Sequence, residues 1–206
     1  AQDPYYDALS VNGDIVVPVD LRAIGFWLKG LLGAPDTTDN EDDTYTHVFT
    51  SGGDLPSLAI ETGHTALTTK VFDMRAGAKL GGLQLDMQRT GPVNMTINGV
   101  VAQGEASAAT SEDATPGTYA LSRFSQGSGS IELDSTQLAA VTGGSVTFSN
   151  TLEPVETIRD DSKIDGVDET EATAEGTITV RYSTDSTIRD AVDAETPVEM
   201  EYGWSI

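Results

Sequence analysis

Cysteine is absent from the 206 residues, which excludes a disulfide scaffold, thiol catalysis and cysteine-held zinc or iron–sulfur centres. Positive charge is scarce, with 11 Lys and Arg against 33 Asp and Glu and a net charge of −22. Such a surface repels phosphate, so tight nucleic-acid binding through counterion release is not expected. No apolar run reaches the roughly 18 residues that mark a membrane-spanning helix. The first residues also lack the basic and apolar stretches of a signal peptide, so no leader is expected there. Histidine occurs only at His47 and His64, without a close ligand spacing, and each reads as a structural residue. No G-x-S-x-G elbow, Walker loop or G-x-G-x-x-G is found. Neither enzymatic activity nor a resident cofactor or metal is expected.

What is present is patterned. The acids are unevenly spread: residues 1–50 hold nine acids and two bases, residues 51–100 four of each, and residues 151–206 fifteen acids and four bases. Crowded like charge resists burial, so the neutral second quarter is the part expected to be enclosed. The acidic runs Asp36 to Asp43 and Asp160 to Glu171 read as solvated loops. Asp161, Asp165, Gly166 and Glu169 fit positions one, five, six and nine of a calcium-binding loop. Lys163 and Ala172 then stand where two further ligands belong, so the fit fails.

One helix is expected from Leu21 to Leu32. Asp20 is placed to cap it, Leu21, Ile24, Leu28, Leu31 and Leu32 follow its period, and Gly33 with Pro35 ends it in a left-handed cap. A second, short helical turn is expected at Ser186 to Val192. Most of the remaining chain alternates with period two, which marks strands with one apolar and one polar face. The clean cases are residues 83–88, 93–98, 145–149, 177–182 and 198–206. Weaker candidates are 14–19, 45–50, 58–62, 68–74 and 130–134. The expected fold is mainly β, a β-sandwich or half-barrel with one packed α-helix, in a single domain over residues 1–206. Within it, residues 1–13 are expected as an N-terminal arm, 34–44 as an acidic loop and 102–118 as a flexible loop.

The order of these features carries a resemblance. The stretch Gly13 to Pro35 resembles the strand–helix opening of tail tube proteins from long-tailed, siphovirus-like bacteriophages. It is followed by Tyr45-Thr46-His47-Val48-Phe49 and Leu55-Pro56-Ser57-Leu58-Ala59-Ile60-Glu61, similar to a "Y-T-H-x-F … L-P-S-x-x-I-E" passage of that family. Gly77 to Leu85 looks like its "G-x-K-x-x-x-L-x-L" strand. Ser149-Asn150 closing a strand, and the strand Gly176 to Tyr182 before a short helix, continue the match. The resemblance implies a structural virion protein, made in the bacterial host cytoplasm and located in the phage tail. It implies hexameric rings stacked into a tube, in which strands from all subunits form a continuous lumenal β-barrel. It implies as partners other copies of the chain, the tape-measure protein, and tail terminator and distal tail proteins. Double-stranded DNA would pass through without specific binding.

A conduit of that kind must not grip phosphate, and small neutral or acidic side chains meet the requirement. The polar faces of the clean strands supply Gln84, Asp86, Gln88, Asn94, Thr96, Asn98, Ser145, Thr147, Ser149, Thr177 and Thr179 as candidate lumen-facing residues. Arg181 is the exception on the same alternation. The competing reading is an acidic extracellular β-sandwich module from a salt-adapted organism that binds sugar or calcium. It asks for an aromatic platform or a metal loop, and aromatic residues make up only 6% of the chain.

Overall fold

The computed structural model describes residues 9–184 and 186–206. Strand β1 (Val11–Pro18) leads through a turn into helix α1 (Ile24–Leu32), followed by β2 (Asp36–Asp39), β3 (Tyr45–Val48), β4 (Leu58–His64), β5 (Val71–Ala78) and β6 (Gly82–Met87). Strands β7 (Asn94–Ala102) and β8 (Gly104–Ala108) precede a 3-10 turn at Gln126–Ser128, then β9 (Gly129–Leu133) and β10 (Thr136–Gln137). The long strands β11 (Val141–Val155) and β12 (Gly166–Val180), helix α2 (Thr187–Asp193) and β13 (Met200–Trp204) complete the chain. The fold is mainly β and sandwich-like.

The main sheet is open and five-stranded, in the order β1-β7-β6-β11-β12, with every pairing antiparallel. Its register aligns the period-two pattern of each strand into rows running across the sheet. One apolar row is Ile15–Ile97–Leu83–Phe148–Ala174, and the next is Val17–Met95–Leu85–Val146–Gly176. A one-residue slip in any strand would turn these side chains to the opposite face. Smaller sheets β4-β5-β8 and β10-β9-β13 and the hairpin β2-β3 complete the strand pairing.

The apolar rows are covered by α1, whose Ile24, Trp27, Leu28, Leu31 and Leu32 pack into a core containing Leu80, Leu83, Val93, Met95 and Ile97. Leu31 is fully buried, which stabilises the fold by about 2 kcal/mol relative to leaving that side chain in water. Buried Asn150 donates from Nδ2 to the carbonyl of Leu31 at 2.7 Å, and so satisfies one of the open carbonyls at the helix end. At Gly30 an added Cβ would lie 2.7 Å from Leu80 Cδ1. The helix therefore uses a residue of poor helical propensity where it approaches the core most closely. Most of the core does come from the neutral second quarter, including Ala78, Leu80, Leu83, Val93, Met95, Ile97 and Val100.

Several boundaries differ from the sequence expectation. Helix α1 starts at Ile24 rather than Leu21, and Ala23 precedes it without a side-chain cap. Asp20 instead ties the preceding turn, its Oδ1 accepting from the amides of Arg22 at 2.9 Å and Ala23 at 3.2 Å. Gly33 has φ 93° and ψ −167°. That is a positive-φ, extended conformation reserved for glycine, not the left-handed helical cap. The expected acidic loop 34–44 contains β2, because Asp36–Asp39 pair in register with Tyr45–Val48. The expected flexible loop 102–118 contains β8, which adds to the edge of β5. Of the expected N-terminal arm, residues 1–8 lie outside the described residues, while residues 11–13 belong to β1.

Candidate functional site

The polar face of the main sheet is built by the same register as the core. Across it run the rows Val16–Thr96–Gln84–Thr147–Glu175, Asn98–Gly82–Ser149–Thr173 and Asp86–Ser145–Thr177. Asn94 pairs with Pro18 and Thr179 with Gly143 on the same alternation. Ten of the eleven residues singled out from the sequence are thus brought onto one face of one sheet. Gln88 lies one residue beyond β6, where its amide donates to Gln126 Oε1 at 3.1 Å. Strands β7, β6, β11 and β12 span about 14 Å across at the usual strand spacing.

The face is held by short polar contacts between neighbours. Gln84 Nε2 donates to Asp86 Oδ1 at 3.1 Å. The hydroxyls of Ser145 and Thr177 lie 2.7 Å apart across β11 and β12. A cross-strand pair such as Ser145–Thr177 is worth a few tenths of a kcal/mol to about 1 kcal/mol. At the upper end of β7, Gly99 adopts φ 58°, and its amide donates to Asp14 Oδ1 at 2.9 Å. This glycine inserts a bulge, so that Ile97 and Val100 both turn inward although they are three residues apart. The alternation Val93–Met95–Ile97 stops there for that reason.

Electrostatically the sheet is one-sided. None of β1, β6, β7, β11 and β12 contains a lysine or arginine. The rows of the polar face carry the carboxylates of Asp86 and Glu175 amid amides and hydroxyls. Arg181 follows the last residue of β12, where its amide donates to the carbonyl of Ala140 at 2.8 Å. Sequence reasoning named the neutral residues of the face but missed Thr173 and Glu175. Both continue the alternation of Thr177 and Thr179 toward the N-terminus of β12, in the stretch between the acidic run and the expected strand.

The acids that mimic a calcium loop are engaged by cations. Arg159 Nη2 lies 2.9 Å from Asp161 and Nη1 lies 2.7 Å from Asp165. The Arg159 hydrogen bond, helped by the amide of Lys163, lowers the Asp161 carboxyl to about 2. Glu169 pairs with Lys79 and accepts the Leu55 amide on Oε1 at 3.2 Å. The Lys79 contact is the main reason its carboxyl titrates below the ordinary glutamate range. His47 bonds Thr37 at 2.8 Å and His64 pairs with Asp73 at 3.2 Å. Among the described residues no group of three or more His, Asp or Glu is placed to hold a metal ion. A groove of about 560 Å3 beneath α2 is lined mainly by aliphatic residues such as Val146, Ile178, Ile188, Val198 and Met200. Nothing in that lining resembles a paired nucleophile and base. Among the described residues no helix is long and apolar enough to cross a membrane.

The arrangement is therefore a broad polar surface whose strands carry no lysine or arginine, backed by the apolar core. A comparison with curated proteins returns no match. The family model for the phage tail tube protein matches residues 1–206, the whole chain.

Proposed function

The chain belongs to the phage tail tube protein family, a structural component of the virion and not an enzyme, and from that premise we propose how its copies form a conduit. They close hexameric rings that stack into a hollow tube, and the polar face of the main sheet turns toward the lumen. Edge strands of neighbouring subunits pair, which extends the sheet into a continuous barrel and removes edges that would otherwise aggregate. Gln84, Asp86, Gln88, Asn94, Thr96, Asn98, Ser145, Thr147, Ser149, Thr177 and Thr179 then line the wall. The tape-measure protein occupies the lumen during assembly, double-stranded DNA passes through it at infection, and terminator and distal tail proteins close the two ends.

The observation that carries this reading is the absence of lysine and arginine from all five strands of the sheet whose polar face holds ten of these eleven residues. Counterion release requires cationic side chains against phosphate, and a wall without them lets DNA slide while its carboxylates keep the duplex centred. The test is to introduce cations where none stand. Asn94→Lys, Thr96→Lys and Asn98→Lys together are expected to slow DNA ejection while tubes still assemble, as seen by negative-stain electron microscopy. Ejection at the wild-type rate through such a tube overturns the lumen assignment. A purified chain that stays strictly monomeric at high concentration, with or without tail initiators, overturns the tube itself.

A further inference from the structure

Two exposed surfaces of this chain are complementary to each other and occupy different parts of it. The first is the β2–β3 hairpin. All residues from Asp36 to Val48 are exposed, so the hairpin stands clear of its own chain. A two-stranded hairpin is marginal alone in water. Its tip is nevertheless tightly built: the amide of Glu41 donates to Asp39 Oδ1 at 2.9 Å, that of Thr44 to Asp42 Oδ1 at 3.1 Å, and Asn40 Nδ2 to Thr44 Oγ1 at 2.9 Å. The tip concentrates Asp39, Glu41, Asp42 and Asp43, none in an ion pair among the described residues. Next to it Tyr45, on one face of β3, is 58% exposed.

The second surface is the outer side of α1 and the turn before it. Phe26 and Lys29, three residues apart, share one face of α1, and exposed Arg22 stands in the turn that precedes the helix. Phe26 is 58% exposed and the adjoining Leu21 is 60% exposed. Arg123 is brought alongside by its antiparallel bridge to Asp20. These three cations also lack ion pairs among the described residues. In a chain of net charge −22, a cationic face with exposed apolar side chains is the surface on which an acidic, aromatic-bearing knob gains rather than loses energy.

We propose that the β2–β3 hairpin of one copy docks on the α1 face of a second copy, its acidic tip against Arg22, Lys29 and Arg123 and its Tyr45 against Phe26 and Leu21. The proposal rests on the tube reading and specifies one of its contacts. Because knob and socket are different patches, the contact is head-to-tail, and it propagates into a ring or a filament.

The experiment measures the concentration at which tubes form, by light scattering and microscopy at fixed salt. Asp42→Lys with Asp43→Lys, and separately Arg22→Glu with Lys29→Glu, are each expected to raise it by about tenfold or more, and the two pairs combined in one chain to restore it. All four positions are exposed, so unchanged monomer melting controls for folding. Because the chain has no cysteine, Asp42→Cys chains mixed with Lys29→Cys chains are expected to give a disulfide-linked heterodimer on mild oxidation of tubes. Unaltered assembly by both charge-reversed pairs, or cross-linking only between identical variants, overturns the proposal and leaves the tube reading standing. Failure of the wild-type chain to assemble sinks both.

Discussion

Asp20 is 1% exposed, and three backbone amides meet at its carboxylate. Oδ1 accepts from Arg22 and Ala23, and Oδ2 accepts from Ser122, 102 residues further along the chain. The same junction carries the backbone bonds Leu21 to Ser122 at 3.0 Å, Phe124 to Val19 at 3.2 Å and Val93 to Phe124 at 3.0 Å. Segment 121–125 is thereby stitched between the end of β1 and the start of β7. A hydrogen bond to a charged acceptor contributes about 1.5–3 kcal/mol, and a stranded buried donor costs about 1–3 kcal/mol. Asp20→Ala strands the Ser122 amide and frees two amides of the turn, where water reaches them, so a loss of about 3–4 kcal/mol is expected. Asp20→Asn is the sharper probe. Its Oδ1 still serves Arg22 and Ala23, but its amide nitrogen faces the Ser122 N–H, donor against donor, at a cost of about 2 kcal/mol. In a chain of this size that lowers Tm by roughly 4–8 °C. Urea unfolding followed by tryptophan fluorescence should show a lower midpoint with an unchanged slope, and hydrogen exchange at Ser122 should accelerate. An Asn variant within about 0.5 kcal/mol of wild type would refute the claim that the carboxylate clamps the two segments.

The remaining expectations concern pH and packing. Lys79 and the Leu55 amide hold the Glu169 carboxyl below its ordinary value of 4.5, so this group contributes stability above that value and loses it as pH falls through the lowered folded one. Acid titration of the folded chain should therefore show a loss in that window that Glu169→Gln abolishes, and an identical profile for both would remove the assignment. At Gly82 an added Cβ would lie 2.5 Å from the backbone oxygen of Phe148, which no side-chain rotation relieves. Gly82→Ala is expected to cost about 2 kcal/mol by chemical unfolding, and a neutral result would contradict the register of β6 on β11.

Periodicity made β6, β7 and the middle of β11 legible, because one face of each is buried and the other is not. It failed where burial does not alternate. Every residue of β2 is exposed, so Asp36–Asp39 has no apolar face to betray it and reads as acidic loop. β8 adds to an edge with exposed Glu105, Ala106, Ser107 and Ala108 and was hidden for the same reason. The N-terminal part of β12 carries Glu169, Glu171 and Glu175 on a hairpin arm that is mostly solvated, and its charge disguised its length. Asp20 was legible as a polar residue at the mouth of a helix. That its second oxygen reaches Ser122 depends on a contact between segments 102 residues apart, which no local pattern encodes. The candidate face was recovered nearly whole because its residues are the other half of the alternation that defines the core.

The direction of the strands in the main sheet has a geometric consequence. With every pairing antiparallel, β1, β6 and β12 run one way and β7 and β11 the other. Five is an odd number, so the two borders of the sheet share one polarity. Rotation about a common axis preserves that polarity, so in the proposed ring β12 of one copy would meet β1 of the next as a parallel pair, with slanted, evenly spaced hydrogen bonds in place of the alternating ladder elsewhere. A cylinder antiparallel throughout demands an even count and would have to end on β7, with β1 lifted away. Either way the proposed cylinder would have a grain: each subunit boundary would be marked by a change in bonding pattern or a missing strand, and β1, with Val16 67% exposed amid polar neighbours, is the strand on which the two closures differ.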